Sequence, residues 1–263
     1  MIKIQEMTYN YHAHTSLCGH ATGTAEDYVR KAIEGGIRSM GFSDHFPFAL
    51  PNGKESNFRV PVRKADQYRN DIAYLKSKYA DQINLYIGFE MEYYPTHFQK
   101  MLTDARKYGA EYLICGPHYL SIEHEGNKKH TQFPFEESAA LKAYAEMVVG
   151  AIGTGAFTYI AHPDIANFTG EDTVYYEEMR KICIAARDYN VPLEINFLGI
   201  REGRSYPTER FWKIAGEYGA PVTFGFDAHE TAAAYDSKSL FAARALVEKY
   251  HLNYIGEPTL KKL

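Results

Sequence analysis

The feature that most constrains the fold is a regular alternation between short apolar runs and longer amphipathic stretches. Runs rich in β-branched and aromatic residues predict seven strands, at residues 8–13, 38–43, 83–90, 111–117, 157–161, 191–198 and 221–226. Amphipathic patterns predict helices, the first between the Thr24 cap and Gly35 and the others at 65–79, 95–108, 136–152, 173–189, 207–218 and 237–250. This order implies parallel strands with right-handed crossovers, in an open doubly wound sheet or a closed barrel.

The placement of metal-binding side chains decides between these two architectures. Seven of the eleven histidines lie at or just past the ends of predicted strands, as do two carboxylates, giving the set His12, His14, His20, His45, Glu90, His118, His162, Asp227 and His229. Side chains from so many strands can meet only if the strands form a ring. The sequence therefore predicts a distorted seven-stranded (β/α)7 barrel of the TIM type, with its site at the C-terminal ends of the strands.

Length and composition limit the remaining possibilities. The 263 residues suit a single domain over 1–263, and no apolar stretch is long enough to span a membrane. Without a visible signal peptide, we expect a cytoplasmic protein. A net charge of −4 with dispersed basic residues argues against a nucleic-acid partner. The cysteines Cys18, Cys115 and Cys183 are expected to be reduced; a ligand role for Cys18 stays open, although packing is favoured.

Two long connections, at residues 46–64 and 119–135, follow predicted strands on the ligand side. Their aromatic and basic content suits the covering of a small anionic ligand. His124 and His130 lie in the second connection, where a substrate contact is an alternative to an ordinary surface position. His97 and His251 are interpreted as surface or loop residues, and Asp44 and Glu92 as partners of ligands rather than ligands.

The ordered motifs resemble those of the polymerase and histidinol phosphatase (PHP) superfamily, in particular its histidinol-phosphate phosphatase branch. The resemblance covers nearly the whole chain. It rests on His12-Ala13-His14, Cys18-Gly19-His20, Gly41-Phe42-Ser43-Asp44-His45, Gly88-Phe89-Glu90-Met91-Glu92, Gly116-Pro117-His118-Tyr119, Ala161-His162-Pro163 and Phe226-Asp227-Ala228-His229.

This resemblance implies three divalent metal ions, which the donor types allow to be zinc, iron or manganese. One ion would take His12, His14, Glu90 and Asp227, with Glu90 bridging to a second ion on His118 and His162. The third ion would take His20, His45 and His229. Two carboxylates offset only part of the charge of three divalent ions, so an anionic substrate is expected to supply more.

The same resemblance implies hydrolysis of L-histidinol phosphate to L-histidinol and phosphate, a step of histidine biosynthesis. We expect direct attack on phosphorus by a metal-bridging hydroxide, without a phosphoenzyme. Asp227 is expected to orient the hydroxide, and His229 or a metal-bound water to protonate the leaving alkoxide.

Three arginines are candidates for binding the phosphate. Arg201 is the first choice, because the sixth predicted strand ends nearby without contributing a metal ligand, and arginine binds phosphate through two parallel hydrogen bonds. Arg204 and Arg59 are weaker candidates in loops on the same side.

Other functions stay open from the sequence. A related phosphoesterase would act on a nucleotide, a sugar phosphate or phosphotyrosine, and a noncatalytic barrel would keep the ligands for metal binding alone. A barrel of the amidohydrolase type would also hold metals this way, but it gives no reason for a third ion or for arginines near a phosphate. Neither the metals nor the oligomeric state follows from the sequence.

Overall fold

A computed structural model describes residues 7–53, 55–122 and 130–263. Its strands are β1 Tyr9–Asn10, β2 Ser39–Phe42, β3 Asn84–Met91, β4 Tyr112–Cys115, β5 Leu193–Asn196, β6 Pro221–Gly225 and β7 Asn253–Tyr254. Its helices are α1 Ala25–Glu34, α2 Ala65–Lys78, α3 Phe98–Lys107, α4 Ser138–Gly153, α5 Asp172–Asp188, α6 Phe197–Glu202, α7 Glu209–Tyr218 and α8 Ser237–Lys249. Short 3-10 turns occupy Ser16–Cys18, Val62–Lys64 and Thr231–Ala234.

The strands curl into a ring. β1 to β4 form one parallel sheet in chain order, and β5 to β7 form a second one. Ile160 joins the two sheets by pairing with Cys115 on one side and Leu193 on the other. On the opposite side, Ala13 pairs with Ala228 just beyond β1 and β6. The predicted distorted α/β barrel is therefore confirmed.

The predicted strand at 157–161 is reduced to a single paired residue, Ile160. Its backbone still bonds to both neighbours, since the Cys115 N–H donates to the Tyr159 carbonyl and the Ile160 N–H donates to the Pro192 carbonyl. Pro192 has no N–H to return, so a continuous ladder cannot begin on that side before Leu193. The segment fills its place in the ring without becoming a regular strand.

Two further elements differ from the prediction. The strand expected at 191–198 ends at Asn196, whose side chain accepts a hydrogen bond from the Gly199 N–H and caps α6. β7 was not predicted, and it pairs with the start of β6 through Asn253 and Tyr254. A strand of two residues gives no periodic signal to find.

The side chain of Tyr112 is fully buried and packs across β1, β2 and β3. Its hydroxyl donates to the carbonyls of Tyr11 and Phe42, at 2.9 and 3.3 Å. Gly41 and Gly88 lie against the Tyr112 ring so closely that a Cβ at either position would overlap it. One buried tyrosine therefore requires glycine on two neighbouring strands.

The three cysteines are buried and unpaired, as expected for reduced thiols. Within the described ranges, no helix combines the length and the apolarity needed to cross a bilayer.

The Gly88 contact predicts a position-specific loss of stability. Gly88→Ala forces a methyl group into the Tyr112 ring and should lower the free energy of unfolding by about 1–3 kcal/mol. Gly153→Ala is the matched control, because a Cβ at the end of α4 meets nothing within 4 Å. The control should be neutral or stabilising by up to about 1 kcal/mol. Urea unfolding of both variants checks this, and equal stabilities would contradict the packing.

Candidate metal centre

The ring brings all nine predicted donors together at one end of the barrel. His12 and His14 follow β1, His45 follows β2 and Glu90 lies in β3. The others come after β4, after Ile160 and after β6, and His20 follows the first 3-10 turn. They surround the floor of a cleft of about 410 Å³, whose lining includes His20, His45, Glu90, His118, His162, Asp227 and His229. His12 and His14 are fully buried beneath it.

Glu90 lies at the centre of the cluster. Its Oε1 is 2.8 Å from His162 Nε2 and 3.3 Å from His118 Nε2. Its Oε2 is 3.1 Å from His45 Nδ1, 3.4 Å from His12 Nε2 and 3.6 Å from His14 Nε2. A single carboxylate thus faces five imidazoles, which is the geometry expected of a bridging ligand.

Asp227 is the second shared carboxylate. Its Oδ1 lies 3.2 Å from His229 Nδ1, 3.3 Å from His14 Nε2 and 3.5 Å from His12 Nε2. The backbone of Asp227 has a φ of 46°, and that of His162 a φ of 30°. Residues other than glycine rarely adopt such values, and they cluster at functional sites. The turns that aim these two side chains into the cleft are therefore strained.

Electrostatics keep both carboxylates ionised. Burial alone would raise the pKa of Glu90, but His118, His45 and His12 outweigh it and hold that pKa well below its usual range. Burial also raises the pKa of Asp227, but His12, His14 and His229 outweigh it and hold that pKa well below its usual range. Both side chains are consequently available as anionic ligands at neutral pH.

The histidines divide into two electrostatic classes. Burial lowers the pKa of His14 to about 3 and that of His118 to about 3, although the nearby Glu90 carboxylate acts in the opposite direction on both rings. Burial also lowers the pKa of His12, but the carboxylates of Asp227, Glu194 and Glu90 outweigh it and raise that pKa well above its ordinary value. His12 must therefore lose a proton when it binds a metal ion.

The donor set fits divalent metal ions. His12 Nε2, His14 Nε2 and Asp227 Oδ1 are buried and make no hydrogen bond within the described residues. Buried polar atoms without partners are costly, and a bound cation would satisfy these three at once. Donor atoms lie within 4.8 Å of one another in the sets His14–His45–His229, His12–His14–Glu90, His12–His162–Asp227 and Cys18–His20–His229. Cys18 is thus close enough to His20 and His229 to share a metal ion with them, but burial raises the pKa of its thiol to about 12.

Several acidic side chains hold the ligands in place. The predicted partner Glu92 binds His118, with 2.9 Å between its Oε1 and His118 Nδ1. Asp44 accepts hydrogen bonds from the backbone and hydroxyl of Thr15 and lies 3.6 Å from His14 Nδ1. Sequence reasoning missed Glu194, which lies 2.7 Å from His12 Nδ1. The sequence signal that could have identified it is an acidic residue within a largely apolar strand.

Arg201, the first choice for binding phosphate, is not brought into the cleft. Its guanidinium donates to the carbonyls of Phe226 and Asp227 and pairs with Asp236 at 3.1 Å. The physical reason is α6, which begins at Phe197 where the prediction continued the strand. The helix carries Arg201 behind the end of β6, where it supports the turn at Asp227.

The other two arginines occupy different surroundings. Arg204 lines the cleft, with its Nη1 3.0 Å from the Tyr206 hydroxyl and its Nε 2.8 Å from Glu202 Oε2. Arg59 is buried outside the cleft lining, where its Nη2 lies 3.6 Å from Glu92 Oε1. Arg204 is therefore the one of the three candidate arginines that faces the site.

Aromatic side chains form one wall of the cleft. The ring of Phe58, from the first long connection, stacks on His45 at a centroid distance of 4.0 Å. His130 lies 5.1 Å from the ring of His118 and lines the cleft, whereas His124 is outside the described residues. His97 packs edge-on against Phe48, away from this wall.

Because His12 starts with a raised pKa, metal binding should release protons. Titration of Zn²⁺ into metal-free protein near pH 7, in buffers of different ionisation enthalpy, should give heats that depend on the buffer. His12→Gln removes that proton source and should reduce the dependence. Heats that are the same in every buffer would contradict the charge state derived for His12.

Comparisons with known proteins agree with this geometry. A probable histidinol-phosphatase of Deinococcus radiodurans is 27% identical over 227 residues, which span 83% of this chain and 85% of that protein. A probable histidinol-phosphatase of Schizosaccharomyces pombe is 28% identical over 254 residues, spanning 85% and 81%.

The fold is also similar to that of a solved structure. The crystal structure of histidinol phosphate phosphatase from Lactococcus lactis, complexed with zinc, L-histidinol and phosphate, matches with a TM-score of 0.68 and 20% identity. The match covers 94% of this chain and 95% of that one. The family model described as the PHP domain matches residues 10–197, which is well over half of the chain. The protein therefore belongs to the PHP family.

Proposed function

We propose that this protein is a metal-dependent phosphomonoesterase that hydrolyses L-histidinol phosphate to L-histidinol and phosphate in histidine biosynthesis. The observation that carries the proposal is the convergence of seven histidines, Glu90 and Asp227 on the floor of a cleft that Arg204 also lines. The names of the curated relatives, which align over 83% and 85% of the chain, supply the substrate.

Three ions of zinc, iron or manganese would be held by the nine donors. His12, His14, Glu90 and Asp227 would serve one ion, His118 and His162 with Glu90 the second, and His20, His45 and His229 the third. When bound, such ions neutralise charge on phosphoryl oxygens and lower the pKa of water. Two carboxylates would offset only part of the charge of three divalent ions, so the metal-loaded cleft favours an anionic substrate.

Asp227 and His229 are proposed to handle protons during the reaction. Asp227 accepts a hydrogen bond from the Asn196 amide on Oδ2, at 3.1 Å, which leaves Oδ1 directed at the histidine cluster. Oδ1 can therefore orient an attacking water. His229 lines the cleft, with its side chain 17% exposed, and can donate a proton to the leaving alkoxide.

Arg204 is proposed to bind the phosphoryl group. Its guanidinium faces the cleft and is held by Glu202 and Tyr206, so its planar donors are oriented before the substrate arrives. Arg201 instead positions the Asp227 backbone, and Arg59 supports His118 through Glu92.

Release of phosphate is the direct test. Zinc-loaded protein should release phosphate from L-histidinol phosphate with a higher kcat/KM than from a nucleotide monophosphate, a sugar phosphate or phosphotyrosine, and chelation should abolish the activity. A nucleotide or phosphotyrosine as the best substrate would support another phosphoesterase activity. Failure of every ester to react would support a noncatalytic metal-binding barrel.

Loss of a shared ligand should be severe. Glu90→Ala removes the carboxylate that faces five imidazoles and should lower kcat by orders of magnitude, as should His118→Ala. His97→Ala is the matched control for the second change, because it removes an imidazole outside the cluster. Near-normal turnover by Glu90→Ala with a full metal content would contradict the assignment.

The two arginines should affect different kinetic constants. Removing a charged phosphate contact costs about 1.5–3 kcal/mol, so Arg204→Gln should raise KM about 10- to 100-fold. Arg201→Gln loosens the turn at Asp227 and should lower kcat more than it raises KM. If Arg201→Gln instead raises KM and Arg204→Gln mainly lowers kcat, the phosphate contact belongs to Arg201.

A further inference from the structure

We infer that Glu194 and Asn196 are a positioning pair that orients His12 and Asp227, two of the four side chains proposed above for the first metal ion. This inference rests on the proposed metal centre. It assigns a role to β5, a strand from which no metal ligand was predicted.

Glu194 is fully buried and uses both carboxylate oxygens. Its Oε1 lies 2.7 Å from His12 Nδ1. Its Oε2 accepts hydrogen bonds from the His162 backbone N–H at 3.0 Å and from the Asn196 amide at 2.9 Å. Three donors from three segments of the chain thus converge on one carboxylate, which can act only as an acceptor while it is ionised.

This contact selects the nitrogen that His12 offers to a metal. Since Nδ1 donates to Glu194, the free lone pair of a neutral His12 ring is on Nε2. Nε2 is the atom that lies 3.4 Å from Glu90 and 3.5 Å from Asp227. A carboxylate behind a ligating imidazole also fixes the ring orientation and strengthens the ligand.

Asn196 orients the carboxylate of Asp227. Its Oδ1 accepts the Gly199 N–H at 3.1 Å, because Asn196 caps α6. The amide orientation is thereby fixed, and Nδ2 must point the other way, where it lies 2.9 Å from Glu194 Oε2 and 3.1 Å from Asp227 Oδ2. One helix cap therefore orients a carboxylate of the cluster.

Two of the residues contacted in this way, His12 and Asp227, are ligands proposed for the first ion. The donors proposed for the third ion, His20, His45 and His229, take part in none of the hydrogen bonds described for Glu194 or Asn196. Disturbing the pair should thus weaken binding of the first ion more than that of the third.

Gly225, on the neighbouring strand β6, leaves room for the Glu194 side chain. A Cβ at this position would overlap the Glu194 carboxylate. Because Glu194 is held by three donors, it cannot move aside without losing them. Gly225→Ala therefore offers a way to displace the carboxylate without changing its charge.

Zinc retention by three variants tests the inference. Glu194→Gln replaces an acceptor by an amide donor, and Asn196→Asp keeps the α6 cap but loses the donor to Asp227. Glu92→Gln is the matched control, since it changes a buried carboxylate that also bonds a histidine Nδ1, that of His118. Zinc-loaded proteins are dialysed against buffers of graded free Zn²⁺, and zinc per chain is measured.

The first two variants should lose one zinc per chain at about 10- to 100-fold higher free Zn²⁺ than the wild type, and should keep the rest as the wild type does. ¹⁵N NMR of the His12 ring should show protonated Nδ1 in the zinc-loaded wild type but not in Glu194→Gln. Glu92→Gln should keep the wild-type His12 signal. Circular dichroism of the metal-free proteins should be unchanged.

The inference would be overturned, and the proposed function left intact, by either of two results. The two variants could show the retention curves and His12 signals of the wild type, or they could lose all ions together. A wild type that binds no zinc would overturn the proposed function as well. If Glu194→Gln does not fold, Gly225→Ala should show the same selective loss, and wild-type retention by that variant would count against the pair.

Discussion

Six of the seven imidazoles in the barrel mouth lie against two buried carboxylates. Glu90 faces five of the rings, and Asp227 faces three, two of which it shares with Glu90. Buried charges of this kind require partners, and the rings supply them. The same attraction leaves acidic oxygens and ring nitrogens directed at common points, which is the arrangement that a cluster of divalent ions needs.

The ring of strands makes this arrangement possible. Parallel strands all end at the same rim, so short extensions beyond β1, β2, β4 and β6 deliver side chains to one place. The rim is also where the backbone is strained, at His162 and Asp227. The barrel core supplies the stability that holds such turns, and β5 contributes acceptors and donors that orient ligands from other strands.

Much of this could be predicted from the sequence, for a physical reason. A histidine or acidic residue at the end of an apolar run must lie at the rim of a parallel barrel, so the nine donors could be placed without knowing any distances. The position of Arg201 outside the cleft could not be predicted, because it depends on where β5 ends, and Asn196 is both the last residue of β5 and the cap of α6. Glu194 was missed because its role depends on contacts with His12 and His162, which are distant in the sequence and come together only in the folded barrel.

Anomalous diffraction at the zinc edge, from crystals grown with Zn²⁺, tests the central claim most directly. The account predicts strong peaks in the mouth of the barrel, about 2.0–2.2 Å from histidine nitrogens and from the oxygens of Glu90 and Asp227. It also predicts that His12 binds through Nε2 while its Nδ1 stays on Glu194. An absence of peaks among these nine side chains, or ions bound only elsewhere on the protein, would contradict it.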